Sequence, residues 1–265
     1  MRAFGLGLVV VALALVGIRA AAAAAPADRA RASQSRPVVD ARPPTRVSLF
    51  GDSLAYQAQA TFSAALAESG PVDLHAVTYP TTALCDFRSD IATDLVTRRP
   101  QVLVLEFSGN SFTPCMRDAA GRLLDIGSGA WRDRYVEDLR AVLRLARVMD
   151  TTVVWATAPP VDHPTAPLDY PRRLAAAVAD LAATDGRLRV VDTGASVAAP
   201  GRRYARTLPC RADEPFCRDG RVVVRATDGL HFDCHGTPDA TMGCSGYSAG
   251  ARRFGDALAR AARER

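Results

Sequence analysis

Val47-Ser48-Leu49-Phe50-Gly51-Asp52-Ser53 joins an apolar run to a polar turn. A short apolar run ends in Gly-Asp-Ser and passes into the Ala-rich segment that begins at Leu54, the pattern of a buried strand, a sharp turn and a helix start. A serine at the first turn of a helix sits where backbone N–H groups point outward and the helix dipole favours negative charge. That position suits a nucleophile whose reaction passes through an oxyanion, so Ser53 is the candidate nucleophile. Gly-Asp-Ser alone reads equally well as an ordinary helix cap, and the rest of the chain has to supply its partners.

Working outward, short β-rich runs alternate with longer segments of helical period. The expected strands are Val47 to Phe50, Val72 to Val77, Val102 to Phe107, Thr152 to Ala156 and Leu188 to Val191. The expected helices are Leu54 to Glu68, Asp90 to Arg98, Trp131 to Met149, Pro171 to Asp185 and about Ser248 to Arg263. In the third helix Trp131, Tyr135, Leu139, Val142, Ala146 and Met149 recur at helical spacing and read as plain core. Strand and helix in alternation predict a three-layer α/β/α sandwich around a central parallel sheet. In such sheets ligands bind beyond the carboxyl ends of the strands, so the loops after Phe50, Val77, Phe107, Ala156 and Val191 gather at one rim.

Two further rim segments carry chemistry. Phe107-Ser108-Gly109-Asn110 places an amide just past a strand end, where Asn110 can donate to a developing oxyanion; its plainer reading is a turn asparagine. Thr227-Asp228-Gly229-Leu230-His231 puts a carboxylate three residues before an imidazole, so that Asp228 can accept from one ring nitrogen while the other faces the nucleophile. His235 and Asp233 are rival choices, His235 the weaker because it falls in a short Cys-bounded loop. His75 within a strand and His163 in a Pro-rich loop match no motif.

With these pieces in order, the chain resembles the SGNH (GDSL-type) hydrolases. Gly51-Asp52-Ser53 is similar to the family's first block, Gly109-Asn110 to its third and Asp228-Gly229-Leu230-His231 to its fifth. The resemblance implies a flavodoxin-like sheet and an esterase or acyl-transfer site without metal or organic cofactor. It implies Ser53 as nucleophile, His231 as general base and then acid, and Asp228 as its orienter. The implied oxyanion hole combines the Ser53 N–H, the Asn110 side chain and a backbone N–H of the second block, assigned to Thr81 or Thr82. There the chain departs from the pattern, because Tyr79-Pro80-Thr81-Thr82-Ala83-Leu84-Cys85 lacks the usual glycine.

Outside the motifs, residues 1–25 have the form of a secretory signal: one early positive charge, a short apolar core and small residues suited to cleavage. Residues 26–44 read as a flexible linker, and 45–265 as one hydrolase-like domain. Six cysteines in an exported chain point to disulfides. Cys210 with Cys217 and Cys234 with Cys244 would close short loops, which leaves Cys85 with Cys115, although six cysteines admit many other pairings. A zinc site is disfavoured, as no C-x-x-C pair occurs. The net charge of +5 is carried by arginines scattered along the chain with no lysine, which argues against a nucleic-acid surface. Beyond the signal, no stretch is long and apolar enough to span a membrane. The expectation is a secreted or cell-envelope monomer that hydrolyses carboxylic esters of carbohydrates or lipids. The alternatives are an O-acyltransferase acting on envelope polysaccharide and a non-catalytic binding module of the same fold. The segments from Cys115 to Gly129 and from Ala195 to Arg221 are the expected sites of substrate choice.

Overall fold

A computed structural model describes residues 43–264 apart from 165, 237–243 and 245. The expected signal segment 1–25 and linker residues 26–42 therefore lie outside the described residues. Five strands, β1 (Thr45–Gly51), β2 (Val72–Thr78), β3 (Val102–Glu106), β4 (Thr152–Ala156) and β5 (Leu188–Val191), form one parallel sheet in the order β2-β1-β3-β4-β5. Five helices connect and follow them: α1 (Ser53–Ala67), α2 (Arg88–Thr97), α3 (Gly129–Val148), α4 (Tyr170–Ala182) and α5 (Ala249–Arg263). Every expected strand and helix is present, β4 and β5 with the expected ends and the others with shifted ones. The last residues expected in α4 instead close tight turns, Thr184 N–H to Leu181 O at 3.1 Å and Asp185 N–H to Ala182 O at 3.4 Å, which tighten the helix end.

Strand side chains alternate between two buried layers, as a sheet covered on both faces requires. Val47, Leu49, Val102, Val104, Val154 and Ala156 pack under α1 and α5, with Phe62 and Phe254 fully buried between them. Phe50, Leu103, Leu105, Val153 and Trp155 face the other way, under α2, α3 and α4. Each such side chain stabilises the fold by about 1.5–3 kcal/mol relative to exposure. The chain leaves β1 for β2 on one side and then returns to β3 on the other. The crevice at the carboxyl ends of β1 and β3, where Gly51 pairs with Glu106, is thus the topological switch point of the sheet. Ser53 begins its helix there.

An antiparallel hairpin, β6 (Thr207–Pro209) with β7 (Arg221–Val223), is an addition to the expected elements. Its strands are too short for an alternation to register in the sequence. The six cysteines form Cys85–Cys115, Cys210–Cys217 and Cys234–Cys244. Cys85–Cys115 joins a short 3-10 turn at Leu84–Phe87 to another at Pro114–Met116. Among the described residues no helix is long and apolar enough to cross a membrane.

Candidate active site

The turn from β1 into α1 is set by close packing. A Cβ on residue 51 would lie 2.5 Å from the Glu106 carbonyl oxygen and would overlap Ala55, so only glycine fits. Asp52 follows as the N-cap, its carboxylate accepting from Leu54 N–H at 3.2 Å. Ala55 N–H donates to the Glu106 carboxyl at 2.9 Å and Tyr56 N–H to Asp52 O at 2.9 Å. Ser53 N–H is left as the first-turn amide with no acceptor among the described residues, at the positive end of the helix.

The base comes from the loop before α5. Asp228 Oδ1 accepts the backbone N–H groups of Leu230 and His231, each at 2.9 Å, which winds the segment into a local turn. Its Oδ2 accepts from His231 Nδ1 at 2.7 Å, and His231 Nε2 lies 2.9 Å from Ser53 Oγ. The proton on Nδ1 leaves Nε2 free to accept the serine hydroxyl. Gly229 takes a φ of 70° and a Cβ there would overlap the Asp162 backbone, while its carbonyl accepts from Asp162 N–H at 3.0 Å. Burial alone would raise the Asp228 pKa, but the bonds from the imidazole and the two backbone amides override it and hold the group well below the usual carboxylate range.

Two side chains that no motif marked brace this loop. Gln57 of α1 accepts from Phe232 N–H at 3.0 Å and donates to Phe232 O at 3.3 Å, tying the base loop to the serine's own helix. Arg225 is fully buried, donates to the Gly229 and Leu230 carbonyls, and lies against the Tyr204 and Phe232 rings. Its Nε and Nη1 find no acceptor among the described residues, and desolvation pulls its pKa down to about 10.

Asn110 sits at the other wall. Its amide donates to Asp52 Oδ2 and to the Thr82 carbonyl, both at 3.0 Å, so its two N–H groups are engaged. Asp52 Oδ2 also accepts from Ser108 N–H at 2.7 Å and Ser108 Oγ–H at 2.6 Å. Glu106, buried beside it, has one oxygen with no hydrogen-bond partner among the described residues. Burial raises both pKa values, Glu106 far more because the Asp52 charge adds to it while Ser108 and Leu54 pull Asp52 back. Ser108 N–H, Ser108 Oγ–H and Asn110 thus favour the charge on Asp52, while burial and that charge disfavour one on Glu106. The apolar stripe of α3 does more than fill the core: Trp131 Nε1–H donates to Gly109 O at 2.9 Å and Tyr135 O–H to Asn110 O at 2.8 Å.

Ser53, His231 and Asp228 thus form one hydrogen-bonded chain, and Asp52 links Asn110 to the cap of the serine's helix. Thr81 stands apart from that chain: its hydroxyl turns back to Pro80 O at 2.6 Å, and it adopts a φ of 65°, the left-handed conformation glycine usually supplies. Of the rivals, His235 stacks on Phe216, His75 pairs with Asp94 at 2.6 Å, and Asp233 makes no bond to His231. Glu106 had one sequence signal, an ionisable residue closing an otherwise apolar strand. Gln57, Trp131, Tyr135 and Arg225 had none, because their partners lie far along the chain or on the backbone. A hydroxyl 2.9 Å from an acceptor imidazole can lose its proton and attack, and the unused helix-terminal N–H beside it can donate to a developing oxyanion.

Residues 46–240 match a family model described as a protein of unknown function, DUF459. Among solved structures, the chain is similar to a protein described as lipolytic, of the G-D-S-L family, from Desulfitobacterium hafniense DCB-2, with 11% identity, TM-score 0.53, and 82% of this chain and 99% of that one covered. It is also similar to the lipase/acylhydrolase from Enterococcus faecalis, with 16% identity, TM-score 0.51, and 81% and 93% covered. The catalytic domain of the Streptococcus pneumoniae peptidoglycan O-acetyltransferase A is similar at 15% identity and TM-score 0.50, with 82% and 92% covered. At these identities the likeness is one of fold. No curated protein matches the sequence.

Proposed function

The chain belongs to DUF459, an SGNH-like family, and from that premise we propose that it is an exported serine esterase acting on carboxylic esters. The observation that carries this reading is the chain of contacts from Ser53 Oγ through His231 Nε2 and Nδ1 to Asp228, at 2.9 and 2.7 Å. In the first half-reaction Ser53 Oγ bonds to the ester carbonyl carbon as its proton passes to His231 Nε2. Asp228 holds the imidazole in the required tautomer and balances its charge. The oxyanion is taken by Ser53 N–H, with Asn110 and the amide of Thr81 or Thr82 as further donors. For Asn110 this role entails exchanging the Thr82 carbonyl for the substrate oxygen. Collapse breaks the carbon–oxygen bond to the alcohol, which leaves with the proton from Nε2; water then attacks the acyl-serine with His231 again as base.

Thr81 in the left-handed conformation supports a working second block, since the turn that glycine normally makes is made here without it. Three disulfides support an oxidising location, in keeping with a signal segment at 1–25 and a linker at 26–44. If a sugar hydroxyl replaces water in the second step, the same residues perform acyl transfer, and dependence of rate on an added sugar acceptor separates the two. The decisive experiment is hydrolysis of p-nitrophenyl acetate by the wild type and by Ser53→Ala. A loss of about a thousandfold or more is expected, and equal rates would end the proposal.

A further inference from the structure

The β6–β7 hairpin, Phe216 of the Cys210–Cys217 loop and residues 233–236 line a cavity of about 440 Å³, within the size range of small-molecule sites. Asp233 follows His231 by two residues, about 7 Å of extended chain at most, and lines this cavity together with Phe216, Arg218, Asp219, Arg221 and His235.

Its chemistry is of two kinds. Phe216 and His235 stack with ring centroids 3.5 Å apart and planes inclined by 19°, and Phe216 is 48% exposed. Phe216 holds a φ of 62°, beside Cys217 of one disulfide, while His235 follows Cys234 of another. The stack therefore presents an apolar plate whose backbone is already ordered, which lowers the entropy lost on binding. Around it stand Arg218, Asp219 and Asp233, whose side chains make no hydrogen bond or ion pair among the described residues.

We propose that this cavity is a saccharide subsite, seating a sugar ring of a glycan chain whose neighbouring unit reaches Ser53. A pyranose has one apolar C–H face and a rim of hydroxyls; the plate meets the first, and carboxylates and guanidinium groups meet the second as acceptors and donors. An acyl chain would bury these charges unpaired, which is unfavourable. A polyanion would meet two carboxylates beside the arginines. The position of the ester rests on the esterase reading, whereas binding of the sugar does not.

The test is saturation-transfer NMR on the full chain with hexasaccharides of glucose, xylose, mannose, arabinose and N-acetylglucosamine, for wild type, Phe216→Ala and Arg218→Ala. Saturation of at least one hexasaccharide is expected. Phe216→Ala should weaken it tenfold or more and Arg218→Ala severalfold, with p-nitrophenyl acetate hydrolysis unchanged in both. No saturation by any of the five, or wild-type binding by both variants, overturns the proposal. Sugar binding without ester hydrolysis in the wild type would retain the subsite and sink the esterase.

Discussion

Replacing Asn110 by aspartate turns a hydrogen-bond donor into an acid placed against another acid. Asn110 Nδ2 lies 3.0 Å from Asp52 Oδ2. Two full charges at that separation repel by about 5.5 kcal/mol at an effective dielectric constant of about 20. At 1.36 kcal/mol per unit this raises the pair's upper pKa by about four units. From an unfolded aspartate value of about 3.9, the folded pair then holds a shared proton up to about pH 8. The folded pKa is raised above the unfolded one, so the variant keeps its stability below about pH 4 and loses it as pH rises through about 8. In acid, the shared proton restores a donor toward Asp52, and the remaining deficit is the bond to Thr82 O, about 1 kcal/mol. For a chain of this size, 1 kcal/mol moves Tm by about 2–4 °C. Thermal unfolding followed by circular dichroism should therefore show Asn110→Asp within a few degrees of wild type at pH 4.5 and about 11–22 °C below it at pH 8. Asn110→Ala brings no second charge and should show a gap that changes far less with pH, together with a kcat about a hundredfold to a thousandfold lower if the amide serves the oxyanion. A pH-independent gap for Asn110→Asp would refute the placement of residue 110 directly against the Asp52 carboxylate.

The other predictions follow from single features of the site. Thr81→Gly removes a β-branched side chain from a φ of 65° and should raise stability by about 1 kcal/mol, the left-handed cost outweighing the entropy glycine adds to the unfolded chain; a lower Tm would contradict the strain. Loop-closure entropy ranks the disulfides. Serine replacement of Cys85 and Cys115, 30 residues apart, should cost about 3.6 kcal/mol, against about 2.4 for Cys210 and Cys217, 7 apart. Denaturant midpoints in the reverse order would contradict that ranking. Because the Asp228 pKa is depressed in the fold, its contribution is present above about pH 4 and lost in stronger acid. The stability gap between wild type and Asp228→Asn should accordingly shrink between pH 7 and pH 3, and a constant gap would count against the charge pairing of Asp228 with His231.

Much of the fold was legible because its signals are local. The run Val47 to Phe50 ahead of Gly51-Asp52-Ser53 announces its strand, turn and helix within a few residues, and the alternation repeats four times. The ends of α4 were less legible, since the last turn tightens according to which carbonyls remain free. The β6–β7 hairpin was invisible because each strand is three residues long and one includes Pro209. Within the site, Asp228 and His231 are three residues apart and could be read as a pair, whereas Thr81 looked like a missing glycine until its φ was known.

Residue order alone specified the alternation of strands and helices, the nucleophile's place at a helix start and the carboxylate-to-imidazole spacing, because each depends on neighbours along the chain. Folding is what brings Nε2 of His231, 178 residues away, to Ser53. It also decided that Asn110 gives its amide to Asp52 and Thr82, that Glu106 is the acid without a full set of partners, and that Trp131 and Tyr135 hold the Asn110 loop. These are contacts between residues distant in the chain, and their energies depend on burial and direction, which residue order alone does not specify.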